Sequence, residues 1–229
     1  MRKKIVVILN VILIILMSIG LFLMFSKHAQ RSPEAFIERG FRNFRYFTVL
    51  SNVYSGLVAV VYIILLICRR KAESGTLMSI LKLTSAAAVG VTFTVVLVFL
   101  GPLYGYGRMY KNANLIFHMI MPLVAMIEFV VFPAFESEKG NAFSLKKCLY
   151  AGIPVVLYGS VYLGNIVLGG SDGTELNTND FYGFLRWGYP AGILIFVVIV
   201  LMAVGIACLL RWIKKKTSVR TGPRSMPVR

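Results

Sequence analysis

Two side chains within the long apolar runs of this sequence have the types that nucleophilic catalysis needs, a hydroxyl at Thr48 and an imidazole at His118. His118 is one of two histidines in the chain, and an imidazole surrounded by hydrocarbon must find a polar partner. An imidazole beside a threonine hydroxyl can accept its proton, and the oxygen can then attack an ester carbonyl. The two residues therefore predict a nucleophile and its general base, provided that the fold brings them together.

Polar residues accompany both candidates at helical spacing. Ser51 and Asn52 follow Thr48 at i+3 and i+4, and Asn114 lies one turn before His118. Ser51 and Asn52 are predicted supporting residues, and Asn114 is predicted either to orient His118 or to donate to an oxyanion. A purely structural interpretation stays open, because serine and threonine in membrane helices often bond the carbonyl of the preceding turn and line close helix contacts.

An oppositely charged pair of residues is predicted deeper in the membrane. Glu128 lies ~15 Å beyond His118 along a helix axis, which is too far to orient the imidazole as the acid of a catalytic triad does. Lys82 is expected at a similar depth, and the two predict a structural ion pair. The sequence contains no HExxH or other metal-binding motif, and the chemistry of Thr48 and His118 requires no metal or cofactor.

The elements that must carry these residues are apolar helices. Hydrophobic residues make up 58% of the 229-residue chain, and about 20 apolar residues suffice to cross the hydrocarbon of a bilayer. The sequence therefore predicts an all-α, polytopic membrane bundle of six transmembrane helices, forming one domain over residues 1–213. The predicted spans are Ile5–Phe25, Tyr46–Cys68, Met78–Leu100, Asn112–Phe132, Cys148–Leu168 and Trp187–Leu210.

The distribution of charge orients this bundle. The net charge is +16, and the basic residues fall roughly two to one on the inner side when both termini are cytoplasmic. Membrane orientation thus accounts for the charge without a nucleic-acid partner, and the cell (cytoplasmic) membrane is the expected location. We also predict a short amphipathic helix in the first outer loop, from Ser32-Pro33 to Gly40, and a disordered basic tail over residues 214–229.

Counting residues from the outer boundary gives the depth of both candidates. Thr48 is expected ~5 Å and His118 ~9 Å inside the membrane, from the rise of 1.5 Å per residue. The similar depths permit contact between them. Whether the second and fourth spans are neighbours stays open at this point.

Three short motifs, in this order and spacing, resemble the androgen-induced and androgen-dependent TFPI-regulating protein family and its bacterial relatives. The motifs are Phe47-Thr48 at the head of the second span, Asn114-Leu-Ile-Phe-His118 with Pro122 soon after, and Tyr182-Gly-Phe184-Leu185 leading to Gly188 and Pro190.

The resemblance implies a six-span membrane protein. Its animal members are threonine hydrolases that cleave fatty-acid esters of hydroxy fatty acids, and the family's nucleophile and catalytic histidine correspond to Thr48 and His118. Two departures leave the substrate open: Ser51-Asn52 follows Thr48 where the animal proteins differ, and the Tyr-Pro-Phe-Leu-acid element has lost its proline and its acid.

The expected function is thus an intramembrane hydrolase acting on membrane lipids or other fatty-acyl esters. Two other hypotheses remain: a small-solute transporter, suggested by the polar residues of span two and by Glu128, and a non-catalytic protein that binds lipid or a partner. The transporter hypothesis lacks the sequence repeat or paired broken helices common in such proteins.

Overall fold

The structure, a computed structural model, describes residues 2–26, 40–68, 76–111, 113–132, 145–170, 179–185 and 187–220. This part of the chain is helical and contains no strand. Five helices are long and apolar enough to cross a membrane, and a shorter apolar helix covers Ile116–Val131. The prediction of an all-α membrane helical bundle is confirmed.

We label the long helices in chain order. The first is α1 (Arg2–Phe25), and a 3-10 turn (Gly40–Arg45) precedes α2. The others are α2 (Phe47–Ile67), α3 (Thr76–Tyr104), α4 (Ala113–Leu115, continuing through Ile116–Ile120 and Met121–Val131), α5 (Gly152–Gly169) and α6 (Tyr189–Arg220). Short helices at Tyr106–Met109 and Leu145–Leu149 precede α4 and α5.

Both α3 and α4 widen into a π turn just before a proline. The turns cover Val96–Leu100 and Ile116–Ile120, and Pro102 and Pro122 follow them after one residue. A proline has no N–H, and its ring collides with the carbonyl four residues earlier. The wider turn relieves that collision, and π turns of this kind often occur at functional sites. In α4 the wide turn contains His118.

The core forms around α3, whose middle consists of small residues. Ala86, Ala87 and Ala88 are almost completely buried, and such residues let neighbouring helices approach closely where lipid provides no hydrophobic drive for association. Close packing also reaches the site region, because a Cβ atom at Gly20 of α1 would overlap the ring of Phe117 in α4. The residue before His118 is therefore held against α1.

The last helix is longer than the sequence predicted. We expected span six to end at Leu210 and a disordered tail to begin at residue 214, but α6 continues to Arg220. No glycine or proline interrupts this segment, and lysine and arginine are good helix formers. Lys214 is also buried, with its ammonium 4.5 Å from the centre of the Phe129 ring. Residues 221–229 and the amphipathic helix predicted before Gly40 lie outside the described residues.

Candidate active site

Thr48 lies at the outer end of α2, one residue after the helix begins at Phe47. Its side chain is half-buried, and its backbone carbonyl accepts hydrogen bonds from Asn52 Nδ2 at 2.7 Å and from Ser51 Oγ at 3.1 Å. Within the described part of the chain, the Thr48 hydroxyl itself forms no hydrogen bond. The hydroxyl is therefore available to another group.

The amide of Asn52 joins α2 to α4 next to the candidate base. Asn52 Nδ2 donates to the Phe117 carbonyl at 2.9 Å while it also donates to the Thr48 carbonyl. One nitrogen atom thus contacts the backbone of Thr48 and the backbone of the residue before His118. The second and fourth spans are neighbours, and Thr48 and His118 both lie beside this shared contact.

His118 is buried, with 9% of its surface exposed, and its Nδ1 lies 2.8 Å from the Met109 carbonyl. A carbonyl can only accept, so Nδ1 carries the proton and Nε2 carries the lone pair. This is the tautomer that a general base needs, and a hydrogen bond to the other ring nitrogen is the usual way to select it. In a conventional catalytic triad, a carboxylate binds the imidazole at the equivalent nitrogen.

The group that orients His118 was not identified from the sequence, which suggested Asn114 for this role. The short helix Tyr106–Met109 folds back after Gly105, whose φ of +88° favours glycine, and so presents its last carbonyl to the imidazole. The glycine is the only signal in the sequence, and a backbone carbonyl has no residue type by which it could be recognised.

The amide of Asn114 is instead left with unused hydrogen-bonding capacity. Asn114 Nδ2 is buried and has no partner among the described residues, and the same is true of Asn52 Oδ1. The two atoms belong to residues on either side of the contact between α2 and α4. Asn114 Nδ2 is a donor, and Asn52 Oδ1 is an acceptor. Asn114 therefore remains a candidate to contact a bound molecule.

Ser51, the other predicted supporting residue, is directed to a different helix. Its hydroxyl lies 3.1 Å from Thr92 Oγ1 of α3 and also bonds the Thr48 carbonyl. These contacts match the structural interpretation of polar residues in membrane helices. Ser51 joins α2 to α3 rather than to His118.

A turn from the last outer loop holds the start of α2. Tyr182 Oη accepts a hydrogen bond from the Phe47 N–H at 2.9 Å, and Tyr158 Oη of α5 donates to the Arg45 carbonyl at 2.6 Å. The Phe47 N–H is one of the helix-terminal donors that has no partner within the helix. Burial raises the pKa of the Tyr182 phenol to about 12, so it stays protonated at neutral pH. These contacts position the backbone beside Thr48.

The turn itself is closed by Asp180. Its carboxylate accepts the backbone N–H groups of Phe184 and Leu185, each at 2.9 Å, and the Tyr162 hydroxyl also donates to it. The sequence marked Tyr182 to Leu185 only by resemblance. Its contact with the head of α2 could not be deduced from spacing.

A second polar cluster lies deeper in the bundle. Lys82 Nζ is 2.9 Å from Glu128 Oε1, so the structure brings together the two residues whose ion pair the sequence predicted. Asn10 of α1, which the sequence did not single out, donates to Glu128 Oε1 at 2.7 Å and accepts from Lys82. Lys82 also lies 5.0 Å from the centre of the Tyr62 ring. Glu128 therefore takes no part in the site at His118.

No group of three or more metal-ligating side chains occurs within the described ranges. Comparisons with protein-family models, with curated proteins and with solved structures find no match to this chain. The assignment of the candidate site therefore depends on its geometry alone.

Proposed function

We propose that this chain is a membrane-embedded lipid-ester hydrolase in which Thr48 is the nucleophile and His118 the general base. The observation that supports the proposal most strongly is the double hydrogen bond of Asn52 Nδ2, to the carbonyls of Thr48 and Phe117. Because of this bond, the two candidate residues lie on adjacent helices at a similar level. The Thr48 hydroxyl and the His118 Nε2 both have no partner among the described residues.

The reaction begins when His118 Nε2 takes the proton of the Thr48 hydroxyl. The Thr48 oxygen forms a bond to the ester carbonyl carbon, and collapse of the tetrahedral intermediate breaks the bond to the alcohol, which leaves with the proton from His118. Thr48 then carries the acyl group, and water completes the hydrolysis. The Met109 carbonyl stabilises the imidazolium that forms in each step, because the Nδ1–H donates to it more strongly when the ring is charged.

The surroundings favour a substrate with long acyl chains. Leu50 on α2 and Leu115 and Met119 on α4 expose 38%, 36% and 38% of their surfaces, and in a membrane these faces meet lipid. An acyl chain can lie along them while its ester group reaches the polar residues between the helices. Esters of fatty acids with hydroxy fatty acids are the expected class, and the cell membrane is the proposed location.

The test compares purified wild-type protein with Thr48→Ala and His118→Ala, using an alkyl fluorophosphonate probe and fatty-acyl esters. We expect labelling at Thr48 and ester hydrolysis by the wild type alone. Ser51→Ala is the matched control, because it removes a hydroxyl one turn away on the same helix and should leave labelling intact. Equal labelling of wild type, Thr48→Ala and His118→Ala would exclude this site.

The same experiment separates the other hypotheses. Ester binding without labelling or hydrolysis in the wild type would favour a non-catalytic lipid-binding protein. The transporter hypothesis was based on the polar residues of span two and on Glu128, and Glu128 is paired with Lys82 and Asn10. Solute uptake into proteoliposomes that is lost in Glu128→Gln would favour it nevertheless.

A further inference from the structure

We propose that Asn52 and Asn114 bind the water molecule that hydrolyses the acyl-enzyme, an inference that rests on the proposed function. The observation behind it is the pair of buried amide atoms with no partner among the described residues, Asn52 Oδ1 and Asn114 Nδ2. Asn52 is completely buried. A buried polar atom without a hydrogen bond costs free energy, so a small molecule that satisfies both atoms is favoured at this position.

The orientation of the Asn52 amide is determined by its surroundings. Oxygen and nitrogen of an amide are assigned from the hydrogen bonds that they form, and here the nitrogen faces two carbonyl oxygens, those of Thr48 and Phe117. Exchanging the two atoms would place three acceptors together. Oδ1 is therefore a true acceptor that faces away from both carbonyls and lacks a donor.

The second amide approaches from α4. Asn114 lies in the helical turn directly before the wide turn that contains Phe117 and His118. Three polar groups thus belong to residues within about one helical turn of one another: the donor of Asn114, the acceptor of Asn52 and the Nε2 lone pair of His118. These groups match a molecule that donates one hydrogen bond, accepts another and has a second proton to give to the imidazole. Water has that chemistry.

Each bond of the water can be assigned. One O–H donates to Asn52 Oδ1, the other O–H loses its proton to His118 Nε2, and one lone pair accepts from Asn114 Nδ2. The remaining lone pair forms the bond to the acyl carbon. The intermediate then collapses with cleavage of the bond to Thr48 Oγ1, the proton passes from His118 to that oxygen, and the carboxylic acid leaves.

The arrangement predicts a variant that acylates but does not turn over. Asn114→Leu keeps the number and branching of the side-chain heavy atoms and removes both hydrogen-bonding groups, so removal of the water contact should slow deacylation alone. We expect steady-state hydrolysis to fall by about tenfold to a hundredfold, the equivalent of one or two lost hydrogen bonds. The first turnover should keep its rate, and intact-mass measurement should show the acyl group retained on Thr48.

Controls separate this inference from the proposed function. Fluorophosphonate labelling of Asn114→Leu should equal that of the wild type, because phosphonylation requires Thr48 and His118 but not water. Hydroxylamine should discharge the retained acyl group, since an added nucleophile replaces the water. Ser51→Ala should accumulate no acyl-enzyme. If Asn114→Leu does not fold, Asn114→Ala serves for the same measurements.

Three results would overturn the inference. Unchanged turnover of the Asn114 variant would show that the amide does not contact the water. An equal loss of labelling and of turnover would make Asn114 an oxyanion donor instead. A wild-type protein that neither labels nor hydrolyses esters would remove the proposed function and this inference with it. That result is seen in the wild type itself, whereas the other two are seen only in the Asn114 variants.

Discussion

Two buried polar clusters lie among the apolar helices, one around Lys82 in the inner half and one around His118 in the outer half, and they use their hydrogen-bonding groups differently. In the inner half, Lys82, Glu128 and Asn10 bond one another. In the outer half, His118 uses only Nδ1 among the described residues, and Asn52 Oδ1 has no partner there. The inner cluster is closed, whereas the outer one retains capacity to bind something further.

This difference separates structural from functional polarity in a membrane protein. A buried charge is tolerated when a partner compensates it, and the pair then holds its helices together. Unused donors and acceptors cost about 1–3 kcal/mol each and persist where a ligand or a substrate can satisfy them. By this criterion, Glu128 is a structural residue and Thr48, Asn52, Asn114 and His118 are the functional candidates.

The largest expected effect is on activity and falls in the outer half. His118→Ala should lower ester hydrolysis by about a hundredfold to ten-thousandfold, the usual contribution of a general base. The bundle should remain folded, because the change removes one buried imidazole and its hydrogen bond to the Met109 carbonyl, at a cost of about 2–3 kcal/mol. Parallel measurement of turnover and of thermal unfolding in detergent checks this, and a large loss of stability would contradict it.

The inner half should show the opposite pattern. Glu128→Leu should reduce the free energy of unfolding by about 3–5 kcal/mol, because it leaves the Lys82 ammonium buried without its counter-charge. Removing both charges, with Lys82→Met added, should recover most of the loss. Equilibrium unfolding in mixed detergent measures both variants, and a single variant as stable as the double would show that the ion pair does not hold the helices.

A smaller effect is expected at the turn that holds the start of α2. Tyr182→Phe removes the acceptor of the Phe47 N–H, at a cost of about 1 kcal/mol. Amide hydrogen exchange at Phe47 should quicken, and turnover should fall severalfold as Thr48 becomes less well positioned. Tyr189→Phe is the matched control, because Tyr189 is 52% exposed. Unchanged exchange at Phe47 in Tyr182→Phe would contradict the contact.

Burial of the Tyr182 phenol also gives stability a defined pH dependence. The pKa of Tyr182 rises by burial from 10.0 to about 12, so the unfolded chain loses this proton first. The contribution of the buried neutral phenol to stability is complete below pH 10.0 and declines as the pH approaches 12. Unfolding measured across this range should show a steeper decline for the wild type than for Tyr182→Phe.

The smallest effect belongs to Ser51, although it shares a helix with the site. Ser51→Ala should cost about 0.5–1.5 kcal/mol of stability and leave turnover unchanged, because its hydroxyl bonds Thr92 of α3. Activity and unfolding assays on one preparation test this. A marked loss of turnover would mean that α2 presents a different face to the site.

Depth in the membrane and the presence of helices were determined by the sequence alone. Apolar length decides which segments cross the hydrocarbon, because its thickness is the same for every span. Counting along the helices placed Lys82 level with Glu128, and a buried charge must pair. Pro122 lies four residues after His118 and has no N–H, so a disturbed turn at this point also follows from the sequence.

Only the tertiary structure decided which atoms meet. Asn10 at the ion pair, the Met109 carbonyl at His118 and the Tyr182 phenol at Phe47 are contacts across distant parts of the chain. They depend on the rotation of each helix about its own axis and on the path of the loops. Those are set by close packing of small residues between helices, and hydropathy carries little information about them, since apolar residues occur on both the buried and the exposed faces of these helices.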